Sequence, residues 1–128
     1  MKGFHTDIEK DTVENEYFRK VLFTGPNSQL VVMALKPGED IGMETHDKND
    51  QFIRIEAGKG KAVMAGKEYP LKDGISVVVP AGTEHNIINT SKTESLKLYT
   101  VYSPAHHPDG TIHKTKAEAE AEEKKRSN

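Results

Sequence analysis

The sequence contains no cysteine and no tryptophan, and aromatic residues make up only 6% of its 128 residues. The absence of cysteine excludes disulfides, thiolate metal ligands and cysteine nucleophiles. A metal site in this chain would therefore be built from nitrogen and oxygen ligands, which makes soft metals such as Cu(I) poor candidates. Hydrophobic residues are also scarce, at 34%, and the length allows one domain with one core.

Long apolar runs and an excess of positive charge are absent as well. No stretch approaches the roughly 20 apolar residues that a membrane-spanning helix needs, and the first residues lack the apolar core of a signal peptide. The formal net charge is −2, so no basic surface indicates a nucleic-acid partner. We therefore expect a cytoplasmic protein that binds neither membranes nor nucleic acids.

Short segments rich in Val, Ile and Tyr recur along the chain, and Gly, Pro, Asn or Asp follows each of them. Residues 29–35 precede Pro37-Gly38, for example, and residues 75–79 precede Pro80. β-Branched and aromatic residues favour strands, and many short strands separated by turn residues predict a sandwich or a closed barrel. The predicted fold class is all-β.

The last part of the chain has a different composition. From Thr115 onward it consists mainly of Ala, Glu, Lys and Arg, which are strong helix formers, and Thr115 with Glu118 has the spacing of a capping box. The segment has almost no apolar stripe, so we expect a frayed, solvated helix. The predicted organisation is an N-terminal arm (1–12), a β-barrel (13–104), and a loop with a charged C-terminal helix or tail (105–128).

Four polar side chains are placed by the strand pattern to converge inside the barrel. Glu44 and His46 are two residues apart and project from one face of an extended segment. Gln51 opens the next predicted strand, and His85 opens a later one. Two imidazoles, a carboxylate and an amide can hold one divalent ion and leave coordination positions for water or substrate.

These residues resemble the two sequence motifs of the cupin family. The glycine, His-x-His, Glu and glycine of the first motif align with Gly38, Glu44, His46, Gln51 and Gly58. The Gly, Pro-x-Gly, His and Asn of the second motif align with Gly74, Pro80, Gly82, His85 and Asn89. Two positions depart from the family pattern, because Glu44 replaces the first His and Gln51 replaces the usual Glu.

The resemblance implies a cupin jelly-roll barrel that holds one divalent metal ion with Glu44, His46, Gln51 and His85. The carboxylate has moved from one ligand position to another, so the set still carries one negative charge. Zn²⁺, Mn²⁺, Fe²⁺ and Ni²⁺ all suit such ligands. The phosphomannose-isomerase-like branch of cupins uses a similar mixture of Gln, His, Glu and His, and small cupins commonly form homodimers. The alternative is a metal-free barrel in which Glu44 and Gln51 are ordinary polar residues.

The expected function is that of a metal-dependent isomerase or lyase that acts on a small oxygen-rich substrate, such as a sugar or sugar acid. The ion would act as a Lewis acid, and Glu44 would serve as a ligand or as a general base. Two alternatives remain open. One is an Fe²⁺ dioxygenase, because two histidines and one carboxylate resemble the facial triad; the other is a non-catalytic barrel that binds a small ligand.

Other polar side chains stay outside this predicted site. The loop after the last predicted strand carries His106, His107 and His113. No carboxylate lies near them at ligand spacing, so we expect these histidines to lie in solvent. Three more side chains lie on predicted strands: Arg19, Tyr99 and Tyr102. An arginine facing the pocket would bind an anionic substrate, but strand parity does not define which face these three occupy.

Overall fold

The computed structural model describes residues 2–126, within which it has nine β-strands and two α-helices. In chain order the elements are α1 (Ile8–Glu14), β1 (Arg19–Thr24), β2 (Gln29–Leu35), β3 (Asp50–Ala57), β4 (Lys59–Met64), β5 (Lys67–Lys72), β6 (Ser76–Val79), β7 (His85–Asn89), β8 (Leu96–Ser103), β9 (Ile112–His113) and α2 (Lys116–Arg126). Within this described part, neither helix combines the length and the apolar character needed to cross a membrane. The prediction of an all-β fold with a short C-terminal helix is confirmed.

The strands form two antiparallel sheets. The larger sheet has the strand order β6-β3-β8-β2-β1-β9, and the smaller one has the order β5-β4-β7. The residues before β3 extend the smaller sheet, because Asp40 and Glu44 form isolated bridges with Ile88 and His85 of β7. Buried apolar side chains from both sheets form one continuous core. This is the jelly-roll arrangement that the family resemblance implied, and it agrees with the sandwich or barrel predicted from the strand pattern.

Strand β3 shows how the sequence alternation fills the interior. Gln51, Ile53 and Ile55 are buried, whereas Phe52 and Arg54 between them are partly exposed. The alternation follows from the two-residue period of a strand, which sends successive side chains to opposite faces. One strand thus contributes an amide to one end of the barrel interior and aliphatic side chains to the rest.

Gly58 closes the turn between β3 and β4 in a conformation that side chains disfavour. Its φ is +92°, and a Cβ atom built there would lie 2.4 Å from the carbonyl oxygen of Ser95. Any larger residue would therefore strain the backbone and also collide with the segment before β8.

Helix α1 was not predicted and lies across the end of the predicted N-terminal arm. The Asp7 side chain caps it by accepting a hydrogen bond from the backbone N–H of Lys10 at 3.2 Å, as is typical of an N-cap. Thr12 on this helix is fully buried. The arm is therefore partly helical, and Thr12 packs it against the rest of the chain. The helix was not predicted because its sequence has little apolar periodicity.

Helix α2 packs on the barrel, so the expectation of a solvated, frayed helix is wrong. Ala119 is 2% exposed and belongs to the hydrophobic core. Lys116 forms an ion pair with Asp40, and Glu122 contacts His113. Ala119 and the polar contacts of Lys116 and Glu122 help to hold the helix, and none of them produces the apolar stripe by which packed helices are usually predicted.

Candidate metal centre

Backbone pairing fixes the relative positions of Glu44 and His85. The N–H of Glu44 donates to the carbonyl of His85 at 2.8 Å, and the N–H of His85 donates to the carbonyl of Glu44 at 2.9 Å. The carbonyl of His46 accepts from the N–H of Gly82, also at 2.9 Å. Main-chain hydrogen bonds therefore join the two sequence motifs, and their side chains meet at one end of the barrel.

Glu44, His46 and His106 form a cluster of potential metal ligands. Their ligand atoms all lie within 4.8 Å of one another. Oε2 of Glu44 is 3.7 Å from Nε2 of His46, and the ring centroids of His46 and His106 are 4.1 Å apart. Because such atoms bind an ion at about 2.0–2.2 Å, a carboxylate and two imidazoles at these separations can share one ion after small side-chain movements.

Gln51 and His85 lie beside this cluster and, with Glu44, line a narrow crevice. Nδ1 of His85 is 2.9 Å from the carbonyl oxygen of Thr83. Since a carbonyl only accepts, Nδ1 carries the proton and Nε2 has the lone pair, as in most metal-ligating histidines. The ring centroid of His85 is 5.1 Å from that of His46. The assignment of Gln51 and His85 as ligands stays a prediction.

Two buried polar atoms at the site have no hydrogen-bond partner within the described part of the chain, namely Nε2 of His46 and Oε1 of Gln51. A hydrogen bond orients the side chain of Gln51, because its Nε2 donates to Oγ1 of Thr100 at 3.0 Å. Buried polar atoms without partners are rare, since their desolvation is costly. Both atoms have lone pairs to donate, so the residues present fit a divalent cation.

Burial also sets the protonation of the cluster. Burial lowers the pKa of His46 to about 4, and the neighbouring His106, His85 and Arg19 act in the same direction. His46 is therefore a neutral imidazole at pH 7, which is the form that binds a metal. Burial raises the pKa of Glu44 to about 7, while the charge of Arg19 opposes that shift. A cation beside Glu44 favours its ionised form.

His106 reaches the site because the loop after β8 is fastened to the barrel interior. Oε1 of the fully buried Gln29 accepts hydrogen bonds from the backbone N–H groups of His106 at 3.1 Å and His107 at 3.0 Å. Nε2 of Gln29 donates to the carbonyl of His107 at 2.7 Å, and Asn49 donates to the carbonyl of Pro104 at 2.6 Å. The expectation of loop histidines in solvent is therefore wrong.

Of the two tyrosines on β8, Tyr102 faces the interior. Tyr102 is 2% exposed, and its ring lies 5.2 Å from that of His106 and 5.9 Å from that of His46. Burial raises the pKa of its hydroxyl far above the usual range, so the hydroxyl stays protonated. Tyr99 lies on the opposite face, against Phe52.

A family model described as Cupin domain matches residues 31–102. The chain is a cupin. The matched region contains Glu44, His46, Gln51 and His85, whereas His106 and Arg19 lie outside it. Motif reasoning alone therefore identifies only part of the cluster, and the signal that identifies His106 is its three-dimensional contact with Gln29.

Several proteins are similar to this cupin over most of its length. L612 of Acanthamoeba polyphaga mimivirus is 51% identical over 110 residues, which cover 83% of this chain and 68% of L612. YrkC of Bacillus subtilis is 47% identical over 128 residues, which cover 95% of this chain and 68% of YrkC. The crystal structure of BH2720 from Bacillus halodurans superposes with a TM-score of 0.91 at 41% identity, covering 94% of this chain and 95% of that chain.

Proposed function

We propose that this cupin binds one divalent metal ion with Glu44, His46 and His106, and that Gln51 and His85 complete the set of ligands. One observation carries the proposal. Three ligand groups converge within 4.8 Å at a buried imidazole nitrogen, Nε2 of His46, that has no hydrogen-bond partner among residues 2–126. The nitrogen and oxygen ligands suit Zn²⁺, Mn²⁺, Fe²⁺ or Ni²⁺.

We further propose that the cupin is a metal-dependent isomerase or lyase that acts on a small oxygen-rich molecule, such as a sugar or sugar acid. A bound ion would supply Lewis-acid polarisation of a substrate oxygen. The chain itself supplies a polar interior end formed by Gln51, Tyr102 and the histidines, and the loop held by Gln29 covers that end. The phosphomannose-isomerase-like cupins, with their similar mixture of ligands, are the model for this proposal.

A second candidate function is that of an Fe²⁺ dioxygenase. The observation that favours it is the composition of the cluster, since two histidines and one carboxylate also make up the facial triad of non-haem iron oxygenases. Iron as the bound metal, together with consumption of O₂, would distinguish this enzyme from an isomerase or lyase. A non-catalytic binding protein would instead bind a small ligand without turnover.

We also propose that the cupin is a cytoplasmic homodimer. The support within the chain is Val78, which lies on the edge strand β6 and is 60% exposed. Edge strands with exposed apolar side chains are suited to pairing with a second chain. Light scattering of the purified full chain should give twice the monomer mass, and a monomer mass would contradict the proposal.

Elemental analysis by plasma mass spectrometry of the purified chain, with and without added metal, tests the metal site. About one metal ion per wild-type chain is expected, because the cluster offers a single set of ligands. The His46→Ala and His106→Ala variants should lose the metal, whereas the matched control His5→Ala, at an exposed position, should retain it. Zinc, manganese or nickel would favour the isomerase or lyase, and iron the dioxygenase.

The same measurement separates the two overlapping ligand sets. Loss of metal in His85→Ala together with retention in His106→Ala would support the set predicted from the motifs and contradict the role given to His106. Full metal content in His46→Ala, or no uptake by the wild-type chain, would contradict the metal site altogether.

A further inference from the structure

Thr100 is a polar residue in an otherwise apolar row across the larger sheet. It is 0% exposed. The strand register aligns it with Val77 of β6, Ile53 of β3, Val31 of β2 and Val21 of β1. Valine has almost the same shape as threonine, so the feature that distinguishes Thr100 from its neighbours is a buried hydroxyl group. Burying a hydroxyl costs free energy unless it forms a hydrogen bond.

The hydroxyl of Thr100 forms that hydrogen bond with the side chain of Gln51. Nε2 of Gln51 donates to Oγ1 of Thr100 at 3.0 Å. Gln51 lies opposite Tyr102 on β8, so Thr100 lies two residues nearer to the apolar side chain of Leu98. The nitrogen and the oxygen of a planar amide lie on opposite sides of its carbon, so this bond turns Oε1 of Gln51 away from the apolar row.

The oxygen of this amide is left for the metal centre. Oε1 of Gln51 is buried and has no hydrogen-bond partner within residues 2–126, and Gln51 lines the crevice together with Glu44 and His85. In an amide only the oxygen has lone pairs for a cation, whereas the nitrogen carries donor hydrogens that repel it. The Glu of the usual cupin motif has two equivalent oxygens, but Gln51 must be held in one of two orientations.

We propose that Thr100 is a positioning residue of the metal centre, whose hydroxyl holds the Gln51 amide so that Oε1 and not Nε2 faces the ion. The inference rests on the proposed function, in which Gln51 completes the set of ligands. It also explains why a hydroxyl is retained among apolar neighbours. Thr100 lies outside both cupin motifs, so the motifs do not identify it.

Competition between the full chain and a chelator for Zn²⁺ tests the proposal. Thr100→Val keeps the shape and removes the hydroxyl, and it should weaken zinc binding about 10- to 100-fold, as is typical when a group that orients a ligand is lost. Thr100→Ser restores the hydroxyl and should recover most of the affinity. The matched control Thr93→Val makes the same change at an exposed position and should bind zinc as the wild type does.

A double-mutant cycle distinguishes positioning from a general structural role. In the Gln51→Leu background there is no amide to orient, so Thr100→Val should change the zinc affinity by no more than about twofold. An equal loss with and without Gln51 would overturn the proposal, and so would wild-type affinity in Thr100→Val. If the wild-type chain takes up no zinc, the metal site itself fails and the role of Thr100 fails with it.

Nuclear magnetic resonance of the wild-type chain decides the matter if Thr100→Val does not fold. The side-chain amide protons of Gln51, assigned by their absence in Gln51→Leu, should exchange slowly with solvent and should shift when Zn²⁺ is added. Fast exchange would contradict the hydrogen bond to Thr100, and signals that zinc leaves unchanged would contradict the role of Oε1. Either result would overturn the inference.

Discussion

The two ends of the barrel interior differ in polarity, although the same strands build both. At one end the strand register places side by side Gln29, Tyr102 and Gln51. Further along the same three strands it places side by side Met33, Leu98 and Ile55. All six side chains are at most 3% exposed. The three strands pair antiparallel at both ends, so the difference in polarity comes from the side chains.

The apolar end therefore stabilises the fold, whereas the polar end contains the candidate metal ligands. The apolar end buries side chains that need no partner, and such burial is the main stabilising contribution to folding. The polar end buries nitrogen and oxygen atoms, some of which lack partners in the described chain. Atoms of that kind lower stability unless a ligand satisfies them. Changes at the two ends should therefore affect different measurements.

The largest expected effect on stability comes from the apolar end. Leu98→Ala should lower the free energy of unfolding by about 2–5 kcal/mol, because Leu98 is fully buried and truncation leaves a cavity. The metal content of the folded variant should not change. Urea unfolding with parallel elemental analysis measures both, and Val13→Ala, at an exposed position, serves as the control. Metal loss from folded Leu98→Ala would show that the two ends are not separable.

A smaller effect, on metal affinity, is expected at the polar end. Gln29→Leu removes the acceptor that holds the backbone of His106 and His107 and should weaken metal binding about 10- to 100-fold, as is typical when a group that orients a ligand is lost. Gln29→Glu keeps the acceptor oxygens, so its metal affinity should lie between that of Gln29→Leu and that of the wild type. Competition with a metal chelator gives the affinities. Wild-type affinity in Gln29→Leu would contradict the role of the His106 loop.

The smallest effect is a pH dependence of the metal-free chain. Burial lowers the pKa of His46 to about 4 and of His107 to about 2, so below about pH 6.5 the unfolded chain takes up protons that the folded chain does not. Glu44, whose pKa burial raises to about 7, acts in the opposite direction. The net loss of stability between about pH 6.5 and 4.5 should be about 1–2 kcal/mol.

Urea titrations at several pH values measure this loss. The His107→Gln variant should show a smaller loss than the wild type, because it lacks one of the two histidines that remain neutral when folded. A metal-free chain whose stability does not fall on acidification would show that the buried histidines are accessible to protons in the folded state.

The parts of this structure that were predictable from the sequence depend on local spacing. Glu44 and His46 share a face because they are two residues apart, and the alternation of β3 follows from its sequence. His106 was not predictable in this way, because its position depends on a hydrogen bond between residues 77 positions apart. The packing of helix α2 was not predictable for a related reason. Ala119 packs against the core, but one alanine does not produce an apolar stripe in the sequence.

The bridges around Glu44 also constrain how this chain can change during evolution. Asp40 pairs with Ile88 and Glu44 pairs with His85, so the strand segment is anchored on both sides of Gly42, whose φ of +108° accommodates the bulge between the two bridges. Met43 is 54% exposed, and descendants can replace it freely. An insertion or deletion between the anchors would instead turn the Glu44 side chain out of the barrel. Selection should therefore preserve the length of this segment more strictly than its composition.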